Sequence, residues 1–198
     1  TMPEWIDTVK AALSLNVPHL SLYSLILEDG TPLTQKVVSG ELPAPDDEAA
    51  LAQRAAAGRM LGKRGLARYE ISNYARPGFA CRHNLTYWRR GDYLGFGCAA
   101  HSFYQGERFA NTESIDGYLA GAGEVSRQRL TEKDAFEETV MLGTRMAEGV
   151  PLPVLRGKEA KIERLKALGL VETGKGRLRL TEKGMDVQNT VVVELITE

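Results

Sequence analysis

Residues 70–102 read EISNYARPGFACRHNLTYWRRGDYLGFGCAAHS. The first residues continue a strand begun at Leu66, and at Asn73 that strand runs out into a loop. The loop carries Cys81, His83, Asn84, the aromatics Tyr87, Trp88 and Tyr93, and the close pair Gly95 and Gly97. Their spacing fits no period that buries a single face. Open α/β layers bind ligands at the carboxyl ends of their strands, which makes this loop the expected position of a site.

Upstream, residues 3–15 place Trp5, Val9 and Leu13 at helical spacing, with Pro3 and Glu4 suited to the first turn. The apolar run HLSLYSLILE, 19–28, reads as a buried strand that ends in the turn EDGTP. Asp46 or Asp47 caps the next helix, and Lys63, Arg64 and Gly65 close it. Helix, strand, helix, strand is the order of an α/β layer whose crossovers would make the strands parallel.

Downstream, HSFYQGERFAN reads as a hairpin turning at Gln105–Gly106, and SIDGYLAGAGEVS as a short helix fading into a connector. The connector divides the chain into domains 1–122 and 123–198. In the second domain Thr131 and Asp134 are spaced as a capping box. A helix over KEAKIERLKALG, a strand pair around GRLRL and a final helix capped by Thr181 then give a winged-helix-like order.

The chain has 198 residues and a net charge of −1, so any attraction to nucleic acid is local rather than global. No apolar run reaches the roughly 20 residues of a membrane span, and the first residues do not have the form of a signal peptide. Two cysteines, Cys81 and Cys98, are too few for a disulfide scaffold and point to a reducing cytoplasm. They are also too few to hold an iron–sulfur cluster by themselves.

Cys81 and His83 would point the same way on an extended chain, but a structural zinc site wants four ligands. HNxxYW sets an imidazole and an amide before two large aromatics. That suits either a flat, iron-bearing cofactor with one imidazole ligand or the packing of a loop. Gly95 and Gly97 let a backbone approach a ligand closely, the small residues of GDYLGFGCAA suit a closely packed strand, and His101 ends the run at a strand edge. Arg76, Arg82, Arg89 and Arg90 could fork onto ligand carboxylates or remain solvated. Between Arg156 and Lys183, nine Lys and Arg face four acidic residues, which suggests a DNA-reading module. The charges of KEAKIERLKALG, however, are mixed in helix-supporting fashion. No Ser/His/Asp arrangement, P-loop or HExxH occurs.

Taken together, HLSLYSLILEDGTPL, residues 70–102 and LKALGLVETGKGRLRLTEKG resemble, in order, the C-terminal half of the HemN-like radical-SAM proteins. That family includes oxygen-independent coproporphyrinogen III oxidases and the heme-chaperone (HemW) branch. The resemblance implies the C-terminal part of a partial TIM-like α/β barrel, followed by a small helical, winged-helix-like domain. It implies S-adenosylmethionine and a [4Fe–4S] cluster as cofactors of the parent protein. The cluster's CxxxCxxC belongs to an N-terminal half, so this chain alone is expected to be inactive and to lack that barrel partner.

HNxxYW resembles the heme-chaperone branch, which implies heme binding by His83 with Asn84, Tyr87 and Trp88 shaping the site. By the same likeness Ile26 and His101, with Gly95 and Gly97, correspond to S-adenosylmethionine contacts, His101 standing where the oxidase branch has isoleucine. The implied function is heme handling or porphyrin metabolism. Alternatives are a parent acting as coproporphyrinogen III oxidase and a winged-helix nucleic-acid module. A half-barrel with open strand edges is expected to self-associate.

Overall fold

The computed structural model describes residues 1–197, which form two compact units, one of residues 1–80 and one beginning at Cys81. In the first, α1 (Met2–Ser14) packs on α3 (Asp47–Gly62). Asp46 caps α3, its carboxylate accepting from the backbone N–H groups of Glu48 and Ala49 at 2.9 and 3.1 Å. The indole of Trp5 donates to the Gln53 carbonyl at 2.7 Å and fixes where the two helices meet. A short α2 (Pro32–Val38), capped by Thr31, follows the EDGTP turn and has no counterpart in the sequence reading. Leu61, Leu66 and Tyr74 form the buried core, with Leu13, Leu20 and Leu22 against it.

The sheet of this unit corrects three expectations. Strand β1 covers His19–Ser21 only, and the continuation that reads as a buried strand is open, with Tyr23 72%, Leu25 60% and Ile26 77% exposed. The segment 66–75 is not one strand but two, β2 (Ala67–Glu70) and β3 (Asn73–Ala75), with β3 central and both pairings antiparallel rather than parallel. The cause is the carboxylate of Glu70, 1% exposed, which accepts from the Ser72 N–H at 2.9 Å and from the Asn73 side-chain amide. Ser21 Oγ donates to Asn73 Oδ1 at 2.5 Å, tying the turn to β1. These bonds satisfy buried polar groups only when the chain doubles back.

The second unit begins with α4 (Arg82–Trp88), so HNxxYW lies on a helix and not in a loop. Strands β4 (His101–Tyr104) and β5 (Glu107–Asn111) form the expected hairpin, Gln105 and Gly106 both at positive φ, as a tight two-residue turn requires. After α5 (Ile115–Leu119), β6 (Glu124–Arg129) pairs with β5, so the sheet spans the 122/123 boundary of the sequence reading. Every residue of β6 is exposed, which erases the alternation that would reveal a strand.

Helix α6 (Glu132–Arg145) starts at the predicted capping box: Asp134 N–H donates to Thr131 Oγ1 at 3.1 Å, and Thr131 N–H to Asp134 Oδ2 at 2.8 Å. A second antiparallel sheet orders β7 (Val150–Pro151), β9 (Arg177–Leu180) and β8 (Val171–Gly174). Around it lie a 3₁₀ turn (Leu152–Leu155) and helix α7 (Glu159–Ala167). The expected last helix breaks at Val187 into α8 (Glu182–Asp186) and α9 (Gln188–Ile196). Val140, Val150, Leu155, Ile162, Leu178, Val191 and Leu195 share one core. Gly184 is small by necessity, since a Cβ there would sit 1.9 Å from the Leu170 carbonyl oxygen.

Candidate functional site

Helix α4 has seven residues, too few to be stable alone, so its neighbours define it. Arg90, at φ 55°, reverses the chain after the last turn, and the Gly91 N–H closes it on the Thr86 carbonyl at 2.8 Å. The two arginines that follow Trp88 are then splayed onto different carboxylates. Arg89 forks onto Glu148 with two bonds of 3.0 Å, and Arg90 donates to Glu138 of α6 at 2.8 Å. The Arg89 guanidinium holds the Glu148 carboxyl below its usual range, with burial opposing and Arg177 adding to the effect. Arg76 donates to the Asn16 side chain. Of the four arginines considered as partners for ligand carboxylates, these three therefore have acceptors within the chain.

The helical placement separates the motif into two faces. His83 and Tyr87, four residues apart, share one face and meet edge to face at 4.6 Å between ring centroids. Tyr87 in turn meets Tyr93 at 4.5 Å in the same geometry. Tyr93 is fixed by two backbone hydrogen bonds to Phe103 of β4, at 2.7 and 3.0 Å, and its burial pushes the phenol pKa up. His83 is exposed, and neither ring nitrogen makes a hydrogen bond among the described residues. Trp88, five residues from His83, lies elsewhere on the helix: its ring is under Arg145 of α6 at 4.4 Å, and its indole nitrogen is buried without a partner. Asn84 is half-buried. Trp88 thus anchors α4 while His83 faces out.

The residues assigned by resemblance to S-adenosylmethionine fall in both units. Ile26 lies exposed in the first unit, and Gly95, Gly97 and His101 lie in the second. The GDYLGFG run is not the closely packed strand that its small residues suggest: Tyr93 alone makes a bridge, and Gly97 has φ 106°. Gly95 faces its own chain, for a Cβ there would come within 2.2 Å of the His101 carbonyl oxygen. Its N–H donates to the buried Ser102 hydroxyl at 3.0 Å, while the Gly97 carbonyl accepts from the Asn111 amide at 2.9 Å. His101 opens β4 and is exposed.

Cys81, at the N-cap of α4, and Cys98 are free thiols, and Cys98 Sγ donates to the Glu113 carbonyl at 3.1 Å. No group of three or more potential metal ligands occurs among the described residues, so this chain's donors do not fit a cysteine-held iron–sulfur cluster. An exposed imidazole with both nitrogens open, against an aromatic edge, does fit as a donor to a heme iron. Arg108 and Glu138 were not evident as part of this region from sequence, since they are brought to it by β5 and α6. No described helix is long and apolar enough to cross a membrane.

Residues 130–187 match the family described as the HemN C-terminal domain. A heme chaperone HemW of Mycobacterium tuberculosis (strain CDC 1551 / Oshkosh) is 36% identical over 197 residues, covering 96% of this chain and 50% of the relative. The HemW of Lactococcus lactis is 30% identical over 210 residues, covering 100% of the chain and 55% of the relative. The bovine mitochondrial radical S-adenosyl methionine domain-containing protein 1 is 31% identical over 218 residues, covering 98% and 49%. In fold, the chain is similar to coproporphyrinogen III oxidase (HemN) of Escherichia coli, described as a radical SAM enzyme, with a TM-score of 0.75 at 17% identity; 100% of this chain and 52% of that one are covered. The chain spans about half the length of the curated relatives it matches. By its sequence and its mixed α/β fold the chain is HemN/HemW-like and matches the C-terminal part of those proteins.

Proposed function

We propose that this chain serves heme handling as the C-terminal half of a HemW-type heme chaperone, working in the cytoplasm, where His83 would offer its imidazole nitrogen to the iron. The observation that carries the reading is the imidazole on α4, open at both nitrogens and set against Tyr87 at 4.6 Å. The resident group supplies an iron centre that accepts one imidazole when bound. His83 offers the nitrogen, Tyr87 limits rotation of the ring, Asn84 borders it, and Trp88 keeps α4 seated on α6. S-adenosylmethionine and the [4Fe–4S] cluster are assigned to the intact protein, with Ile26, Gly95, Gly97 and His101 on its S-adenosylmethionine side. The donors among the described residues of this chain do not fit that cluster.

Residues 1–122 belong, in this reading, to the C-terminal part of a TIM-like barrel, and residues 123–198 to a HemN-type, winged-helix-like domain. Nucleic-acid recognition by α7 has little support. Lys161 donates to the Glu194 and Thr197 carbonyls, Arg164 pairs with Glu194, and Lys166 pairs with Glu163, so its cations are taken up within the chain. An oxidase role finds support only in the fold likeness to HemN, which speaks for fold alone. The test is a heme titration of the intact protein carrying this chain, followed through the Soret band. His83→Ala is expected to lose the spectrum of a histidine-ligated heme, and an unchanged titration would overturn the assignment.

A further inference from the structure

Tyr87 has a second neighbourhood besides His83. With Tyr93 and Phe103 it walls a cavity of about 120 Å³, whose polar side is formed by Arg90, Arg108 and Glu138. The Glu138 side chain is only 13% exposed and accepts from both guanidiniums at 2.8 Å. Two cations thus share one carboxylate at a half-enclosed, aromatic-walled space, and Asp134 is the other carboxylate that feels the charge of Arg108.

The two arginines are not equivalent. Arg90 is 21% exposed and is held on two sides, by Glu138 and by its guanidinium stacked over Phe103 at 4.8 Å. Arg108 is 45% exposed and makes a single hydrogen bond to Glu138. A guanidinium carries five N–H donors in a fork that matches a carboxylate. The other donors of Arg108 have no acceptor among the described residues.

We propose that this cavity is a docking subsite for the acidic substituent of a flat aromatic ligand, with Tyr87 and Tyr93 taking the apolar edge and Arg108 the carboxylate. For heme that substituent is a propionate. The proposal rests on the reading of His83 as heme ligand, because Tyr87 belongs both to the His83 contact and to the cavity wall. Desolvated aromatic walls strengthen the attraction between Arg108 and an arriving carboxylate, and they disfavour a ligand whose acidic groups are masked.

The experiment titrates heme and heme dimethyl ester, in which both carboxylates are masked, into the intact protein. Wild type, Arg108→Gln, Arg108→Lys and His83→Ala are compared. Wild type is expected to prefer heme over the ester by about tenfold, the size of one charge-assisted hydrogen bond. Arg108→Gln loses that preference while keeping the spectrum of a histidine-ligated heme, and Arg108→Lys keeps part of it. The same preference in wild type and Arg108→Gln overturns the subsite and leaves the His83 assignment standing. An unchanged spectrum in His83→Ala brings down the heme reading and the subsite with it. If Arg108→Gln does not fold, the wild-type comparison decides, since a protein that binds heme and its ester equally has no such subsite.

Discussion

Tyr87 stands between His83 and Tyr93, meeting both edge to face, with ring centroids 4.6 and 4.5 Å away. The imidazole therefore rests on a ring that the β4 backbone holds from behind through Tyr93 and Phe103. Edge-to-face pairs contribute about 0.5–1.5 kcal/mol each beyond area burial. Tyr87→Leu, which keeps apolar bulk but removes both ring contacts, should lower the unfolding free energy by about 1–2 kcal/mol. Tyr87→Phe should restore most of it. Urea unfolding of the three proteins checks this, and equal midpoints would deny the ring ladder an energetic role.

Gly95 and Gly97 separate two reasons for glycine. At Gly95 a methyl group would collide with the His101 carbonyl oxygen, whereas at Gly97 the surroundings are open and only the backbone at φ 106° is demanding. Gly95→Ala should cost about 2–4 kcal/mol of stability through overpacking. Gly97→Ala should cost about 1–2 kcal/mol through backbone strain. Thermal melts rank the two variants. A Gly95→Ala protein as stable as its parent would return that glycine to a purely ligand-facing role.

The bidentate pair between Arg89 and Glu148 should show in acid. The carboxyl of Glu148 is held below its unfolded-state value, chiefly by its bond to Arg89. Its contribution is thus complete above the unfolded carboxylate range and fades as pH falls through the lowered folded value. Melting temperatures between pH 7 and pH 3 are expected to drop less steeply for Glu148→Gln than for the parent, because that variant has no such proton to take up. Parallel curves would show that the pair carries no pH-dependent stability.

Tyr23, Leu25 and Ile26 expose three large apolar side chains within four positions, next to the short edge strand β1. An uncovered edge flanked by apolar residues invites pairing with another chain. The 198-residue chain is expected to elute as a mixture larger than monomer in size-exclusion chromatography. Leu25→Ser together with Ile26→Ser should shift it toward monomer, and a monodisperse parent would refute the prediction.

What the sequence disclosed follows a physical line between local and distant causes. The capping box of Thr131 and Asp134 and the Gln105–Gly106 turn depend on residues within a few positions of each other, and both stand where the pattern puts them. The fold-back at Glu70 was hidden because Tyr69 and Ile71 continue a β-favouring run. The partner that ties the turn to β1 is Ser21, far away in sequence. Strand β6 was hidden for the opposite reason, having no buried side to print a pattern. In the candidate site, His83 with Tyr87 was legible as a group, but its placement on a helix was not. The acceptors that hold α4, Glu138 and Glu148, lie some fifty residues downstream.

The splayed pair of Arg89 and Arg90 has a consequence for control. A seven-residue helix has no independent stability, so α4 persists only while Glu138, Glu148 and Arg145 remain in place to receive it. Melting the last turns of α6 would unseat α4 and release the imidazole from its mount without any change to His83 itself. Control of the candidate ligand thus sits in α6, the helix that Thr131 and Asp134 start and on which α4 packs.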